Sequence, residues 1–173
     1  MKDNRTKGFS MIELIIVIAI IGIMTAMATL GIGYIQSGNV RAAANSIVAD
    51  LSQKKYDAMS KQDKPFMYIY EVGGKYYSYC SASEVTNPAS VLTASNGTAL
   101  CNSNCKITYD GGKELASGNY IRIAYKKSGG LSSKSSFTRD ISDITVSKSD
   151  GSGKYVITIY KETGKHTLSH TSS

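Results

Sequence analysis

The chain has 173 residues, a formal net charge of +7, 19% charged residues, 16 Gly, only two Pro and no Trp. These values exclude a disordered chain and describe a polar, turn-dense, strand-rich remainder behind one strongly apolar segment. The surplus of positive charge favours acidic surfaces and polyanions through solubility and steering, and it carries no specificity of its own. At the start stand Lys2, Arg5 and Lys7, which hold the N-terminus in the cytoplasm by the positive-inside rule. An almost uninterrupted apolar run then extends to Ile35, with the carboxylate of Glu13 set inside it. An acidic side chain near the centre of a membrane helix costs about 2.5 to 3.5 kcal/mol on insertion scales, so Glu13 is a functional residue by default.

The stretch Lys7-Gly8-Phe9-Ser10-Met11-Ile12-Glu13 resembles the class III signal of type IV prepilins and type II secretion pseudopilins. In that superfamily a short basic leader ends in Gly and the mature protein usually starts with Phe. The resemblance implies that a prepilin peptidase cuts between Gly8 and Phe9 on the cytoplasmic side and methylates the new Phe9 amine. Ser10 fills a position where the family accepts Thr or Ser, and Glu13 matches the family's glutamate spacing.

Three plainer readings compete with this one. A secretory signal peptide has an A-x-A site available at Ala26-Met27-Ala28, but the apolar region before it exceeds the usual span of about 7 to 15 residues and contains Glu13. A plain membrane anchor over Leu14 to Ile35 is long enough for a hydrocarbon core of about 30 Å, and it leaves the Gly-Phe-Ser-x-x-Glu pattern unexplained. A core helix apolar on every face needs a large protein around it, which this chain does not supply.

From Val40 the apolar positions Val40, Ala44, Ile47, Leu51 and Ala58 recur at helical spacing, with Arg41, Asp50, Lys54 and Asp57 expected to turn elsewhere. The pattern predicts one long helix from Phe9 to Gln62, ended by the conformational restriction that Pro65 places on Lys64. Gly31, Gly33 and Gly38 cluster at the junction of its two halves, each costing about 1 kcal/mol of helix propensity relative to Ala. Many type IV pilins carry a Pro in this zone, where this chain has Leu30.

Beyond Pro65 the period falls to two. Phe66 to Glu71 and Lys75 to Cys80 flank Gly73-Gly74 as a predicted hairpin, and Ser81 to Cys105 reads as a long loop. Further strands are expected at Lys106 to Tyr109, Tyr120 to Lys126, Ile141 to Lys148, Tyr155 to Tyr160 and Lys165 to Leu168. The expected fold is α+β: a long N-terminal helix, membrane-spanning in its first half, whose second half packs on one antiparallel β-sheet head, the arrangement of the type IV pilin fold. The expected divisions are a leader at 1–8, a transmembrane or filament-core helix at 9–35, its amphipathic continuation at 36–64 and an extracytoplasmic head at 65–173. Passage from the Ala-rich helix through Lys61-Gln62-Asp63 into a strand, and the ending Tyr155-Val-Ile-Thr-Ile-Tyr160 with Thr163-Gly164-Lys165, resemble minor pilin-like proteins of the H/FimT type.

Cys80, Cys101 and Cys105 all fall on the segment expected outside the membrane, where disulfides form if the compartment is oxidising. Their odd number leaves one thiol over, and the pairing stays open. A bond from Cys80 to either of the others would close a loop worth about 3 kcal/mol in the chain-entropy model. Three sulfurs without a placed fourth ligand do not make a structural zinc site, so no metal is expected. His166 and His170 read as surface residues of a strand or tail. No nucleophile elbow, carboxylate pair, phosphate loop or zincin motif is present, which points to a non-enzyme without cofactors.

The resemblance implies a structural subunit that sits in the inner membrane as a single-pass precursor and then enters a cell-surface or periplasmic filament. Glu13 of one subunit would pair with the Phe9 amine of a neighbour, since an unpaired buried partner costs about 3 to 5 kcal/mol. Its implied partners are other pilins, the prepilin peptidase, an inner-membrane assembly platform and, indirectly, an assembly ATPase. Alternatives within the family are a type II secretion pseudopilin, a major pilin, an adhesin using the Ser81 to Cys105 loop, and a pilin that binds DNA. For the last, Lys154, Lys161, Lys165 and His166 provide a thin basic set.

Overall fold

The computed structural model describes residues 10–60, 65–102 and 104–171, with side chains of residues 28–36 excluded. The expected helix end at Gln62 and the pre-proline Lys64 lie outside the described residues. Helix α1 covers Met11–Ser60. It is followed by β1 (Phe66–Val72), β2 (Lys75–Ser81), a short helix α2 (Pro88–Val91), β3 (Thr98–Cys101), β4 (Cys105–Tyr109), β5 (Lys113–Glu114), β6 (Tyr120–Ala124), β7 (Ile141–Lys148), β8 (Lys154–Tyr160) and β9 (His166–Thr171). The class is α+β, an N-terminal helix followed by antiparallel sheets. The chain divides into two compact units, Met1–Ile35 and Gln36–Ser173, and α1 contributes to both.

In the first unit the described part of α1 is apolar around its whole circumference. Ile15, Ile16, Val17, Ile18, Ile20 and Ile21 are all about half exposed or more, so no face is buried by the unit itself. Thr25, the one hydroxyl between residues 11 and 27, donates back to the carbonyls of Ile21 at 2.8 Å and Gly22 at 3.0 Å. A polar group satisfied within its own helix adds little cost in an apolar surrounding. Among the described residues no helix is long and apolar enough to cross a membrane.

In the second unit α1 provides the face that the spacing predicts. Val40, Ala44, Ile47, Leu51 and Ala58 are buried together with Ala43, in one core cluster with strands of both sheets. Asp57 departs from expectation: it is buried, and its carboxylate accepts hydrogen bonds from Gln53 Nε2 at 3.0 Å and Lys54 Nζ at 3.3 Å. A charge at the margin of a core is retained where donors one turn back on its own helix satisfy it.

The expected single sheet is two sheets. One has the order β3-β2-β1-β6 and the other β5-β4-β7-β8-β9, and every pairing is antiparallel. Gly73 and Gly74, both at positive φ (62° and 77°), close the β1–β2 hairpin in the two-residue turn that matches strand twist, with Val72 opposite Lys75. Met67, Ile69, Ile121 and Ile123 of the first sheet share one continuous core with α1 and with Ile107, Ile144, Val146, Ile157 and Ile159 of the second. In the second sheet these alternate with the half-buried Thr108, Thr145 and Thr158, the period of a sheet buried on one side.

The first sheet is buried on both sides. Phe66, Tyr68, Tyr70, Tyr77 and Ala124 form a second cluster on the face away from α1, capped by Val85 and Leu92. The cap comes from the segment expected to be a long loop, which instead holds α2 and β3. Its backbone is tied to the aromatics: Val85 N–H donates to Tyr68 Oη at 3.0 Å and Tyr70 Oη donates to the Thr93 carbonyl at 2.8 Å. Burying two tyrosines with each phenolic oxygen in a hydrogen bond gains the apolar term at reduced polar cost. Strand bounds shift modestly elsewhere: β6 stops at Ala124, β9 runs on to Thr171, and the two-residue β5 was not anticipated.

Candidate functional site

Gly8 and Phe9, the expected cleavage and methylation positions, lie outside the described residues. Ser10 is the first described residue, and it starts α1. Its Oγ accepts from Ile12 N–H at 3.3 Å, and its carbonyl accepts from Glu13 N–H at 3.0 Å and Leu14 N–H at 3.2 Å. Ser10 thereby satisfies donors that a helix start leaves orphaned. Glu13 stands at the third helical position, the spacing Ser-x-x-Glu of a capping box, and its charge complements the positive end of the helix dipole. The carboxylate is exposed, and it is the only ionisable group between residues 11 and 27. The Ser10-x-x-Glu13 spacing is the local sequence signal of this helix start, separate from the assembly role that the resemblance implies for Glu13.

The head holds its cysteines in two places. Cys80 is exposed on β2, opposite Met67, and lines a groove with Asp50, Gln53 and Lys54 of α1. Cys101 closes β3 and Cys105 opens β4, four residues apart in the chain, and both are buried in the same core cluster. The neighbouring Cys105 and burial push the Cys101 thiol up, and the neighbouring Cys101 holds Cys105 below the ordinary thiol value. Register keeps Cys80 apart from the pair: Cys101 lies opposite Tyr76, four residues along β2, or about 13 Å of strand.

The candidate DNA contacts do not converge. Lys154 begins β8, whereas Lys161 and Lys165 lie at the opposite end of the β8–β9 hairpin, about 20 Å of strand away. Lys161 Nζ donates to the Thr138 carbonyl at 3.2 Å. His166 Nε2 lies 2.9 Å from Ser52 Oγ on α1, and burial, opposed by the Gly164 carbonyl and aided by Lys55, holds its pKa below the usual histidine value. A neutral, tethered imidazole attracts no phosphate. His170 is exposed on β9 with its ring 4.6 Å from that of Tyr155.

Two ion-pair clusters escaped the sequence reading because their members are distant in the chain. Glu84 receives Arg122 Nη1 at 2.6 Å and Lys134 Nζ, and Lys134 also lies over the Phe66 ring, so the pair clamps the cap onto the first sheet. Asp110 receives Arg139 Nε at 2.7 Å and Lys113 Nζ at 3.3 Å, while Arg139 Nη2 reaches Asp143 at 3.2 Å. The Arg139 hydrogen bond, with help from Lys113, holds the Asp110 carboxyl below its ordinary value. These clusters consume part of the head's positive charge internally.

The family model of the prokaryotic N-terminal methylation motif matches residues 3–29. This segment is the signature of type IV pilins and pseudopilins, and the helix followed by antiparallel sheets is consistent with the type IV pilin fold. No curated protein and no solved structure matches the chain. The motif implies a membrane-anchored precursor, processing by a prepilin peptidase and assembly with other pilin subunits.

Proposed function

We propose that this chain, a bearer of the type IV pilin and pseudopilin signature, is a minor structural subunit of a type IV pilus or related pseudopilus. The methylation motif at residues 3–29 carries the reading. Its leader, residues 1–8, is removed after Gly8, and the Phe9 amine is methylated. Residues 9–35 anchor the precursor as a single pass with a cytoplasmic N-terminus, and the same segment becomes filament core. A helix surface apolar all round supports this, because it needs lipid or neighbouring helices on every side. Residues 36–64 and 65–173 form the extracytoplasmic head.

Glu13 pairs with the Phe9 amine of an adjacent subunit and sets axial register. Its exposure at the helix start leaves the carboxylate accessible to a partner. The platform protein and the ATPase act on it as on other pilins. A minor role is favoured by the near-direct passage from α1 into β1 and by Leu30 in the place where many pilins carry Pro.

Mass spectrometry of the mature N-terminus in isolated filaments tests the reading. A methylated Phe9 terminus at low abundance relative to the principal subunit is expected. A terminus at Thr29, or absence from filaments and membranes alike, would overturn it.

A further inference from the structure

We propose that Cys101 and Cys105 form an intramolecular disulfide in the mature protein, leaving Cys80 as its free thiol. This rests on the reading that the head is exported, since thiols of a cytoplasmic head would stay reduced.

The argument begins with topology. Cys101 is the last residue of an edge strand of the first sheet, and Cys105 is the first residue of a strand of the second. The chain therefore crosses from one sheet to the other between these two cysteines. Backbone hydrogen bonds pin the crossing independently of the sulfurs: Cys105 N–H donates to the Asn102 carbonyl at 3.0 Å, and Ser149 N–H donates to the Asn104 carbonyl at 2.9 Å. Both cysteines are about 95% buried in the same core cluster, and each thiol is near enough to shift the other's titration. Cys80 is held apart by the strand register and opens to solvent.

The oxidant is a donor disulfide, either that of an exported thiol oxidase or oxidised glutathione. The Cys105 thiolate attacks one donor sulfur. The donor S–S bond breaks, one donor sulfur leaves as thiolate, and a mixed disulfide forms. Cys101 then gives its proton to base and attacks Cys105 Sγ, which releases the second donor sulfur as thiolate. Two cysteine thiols are oxidised to one disulfide, and the donor is reduced to two thiols that take up the protons. Burial places this exchange before the core closes, and it shields the finished bond from reductants. Because loop-closure entropy grows with ring size, so short a ring constrains the unfolded chain little. Its effect is local, locking the crossing between the sheets.

The test uses the full chain, reduced in denaturant, refolded in detergent with reduced and oxidised glutathione, and blocked with N-ethylmaleimide. Trypsin leaves all three cysteines between Lys75 and Lys106, so the digest must also cut after Leu100. The expected products are alkylated Cys80 and an unalkylated peptide containing Cys101 and Cys105 that is two hydrogens lighter than its reduced form. A Cys80→Ala variant should give the same bonded peptide. In folded protein, dithiothreitol should cleave the bond at least tenfold more slowly than in denaturant. Alkylation of both Cys101 and Cys105, or linkage of either to Cys80, would overturn the proposal. Failure of the export reading has a different signature: the bond still forms in vitro, while protein taken from cells carries three free thiols and resists external protease.

Discussion

The hydroxyl of Ser52 lies 2.9 Å from Nε2 of His166, joining α1 to the last strand across 114 residues of sequence. This contact makes the end of the chain sensitive to acid. Burial lowers the folded-state pKa of His166 below its unfolded value of about 6.5, so the unfolded state binds the proton more readily. The resulting stability is present above the unfolded pKa and is lost as pH falls through the folded one.

Thermal unfolding of the full chain in detergent should show this directly. The midpoint is expected to fall between pH 7.5 and pH 5, with part of that fall absent in His166→Gln. Ser52→Ala should cost about 0.5–1.5 kcal/mol at pH 7.5, the net value of one hydrogen bond. An unchanged pH profile in His166→Gln would remove the histidine from the account.

At the other end of α1, the helix-start position of Glu13 and its proposed pairing in assembly can be separated by substitution. Glutamine suits the third position of a Ser-x-x-Glu/Gln helix start but removes the charge. Glu13→Gln and Glu13→Val should both insert and be processed, and both should be depleted from sheared filaments in an immunoblot against the whole-cell pool. If Glu13→Gln assembles normally while Glu13→Val does not, the cap and not the charge pair governs incorporation.

Gly97 sits where the cap meets the aromatic cluster. A Cβ there would overlap the Tyr70 hydroxyl and come within 2.9 Å of Tyr77 Cβ, an atom fixed to the sheet backbone. Gly97→Ala is expected to cost about 1–3 kcal/mol by overpacking. Chemical denaturation is the measurement, and Gly38→Ala, with no heavy atom within 4 Å of its added Cβ and helix propensity to gain, should shift stability the other way by up to about 1 kcal/mol.

Asp110 combines left-handed backbone (φ 49°) with the Arg139 and Lys113 ion pairs. Its lowered folded pKa gives stability that is present above the unfolded carboxylate value, about 3.9, and is lost as pH falls through the folded one. Asp110→Asn keeps a residue that tolerates this conformation and should lose only the charge-dependent part. Asp110→Ala should lose that part and add about 1–2 kcal/mol of backbone strain. Equal stabilities for the two variants, measured by denaturant midpoint at pH 7, would contradict the backbone contribution.

Much of the head was legible because its signals are local. The spacing of Val40, Ala44, Ile47 and Leu51 marks the buried helix face, and Gly73-Gly74 marks the hairpin within a few residues. Asp57 was misplaced because helical spacing ranks it as polar and cannot register that Gln53 and Lys54 satisfy it at a core margin. The Ser81 to Cys105 segment was misread for a similar reason. Its Val85 and Leu92 are too sparse to form a periodic pattern, and they become a second core only once Tyr68 and Tyr70 lie beneath them.

By itself the sequence determined the motif, the apolar helix with its single carboxylate, and the order of helix before strands, since each rests on residues close together in the chain. Tertiary structure alone decided that the strands divide into two sheets, that Cys101 and Cys105 are buried in one cluster while Cys80 is exposed, and that His166 is tied to α1 while the basic residues scatter. Those outcomes depend on strand register and on burial between distant segments, and neither is encoded in the spacing of neighbouring residues.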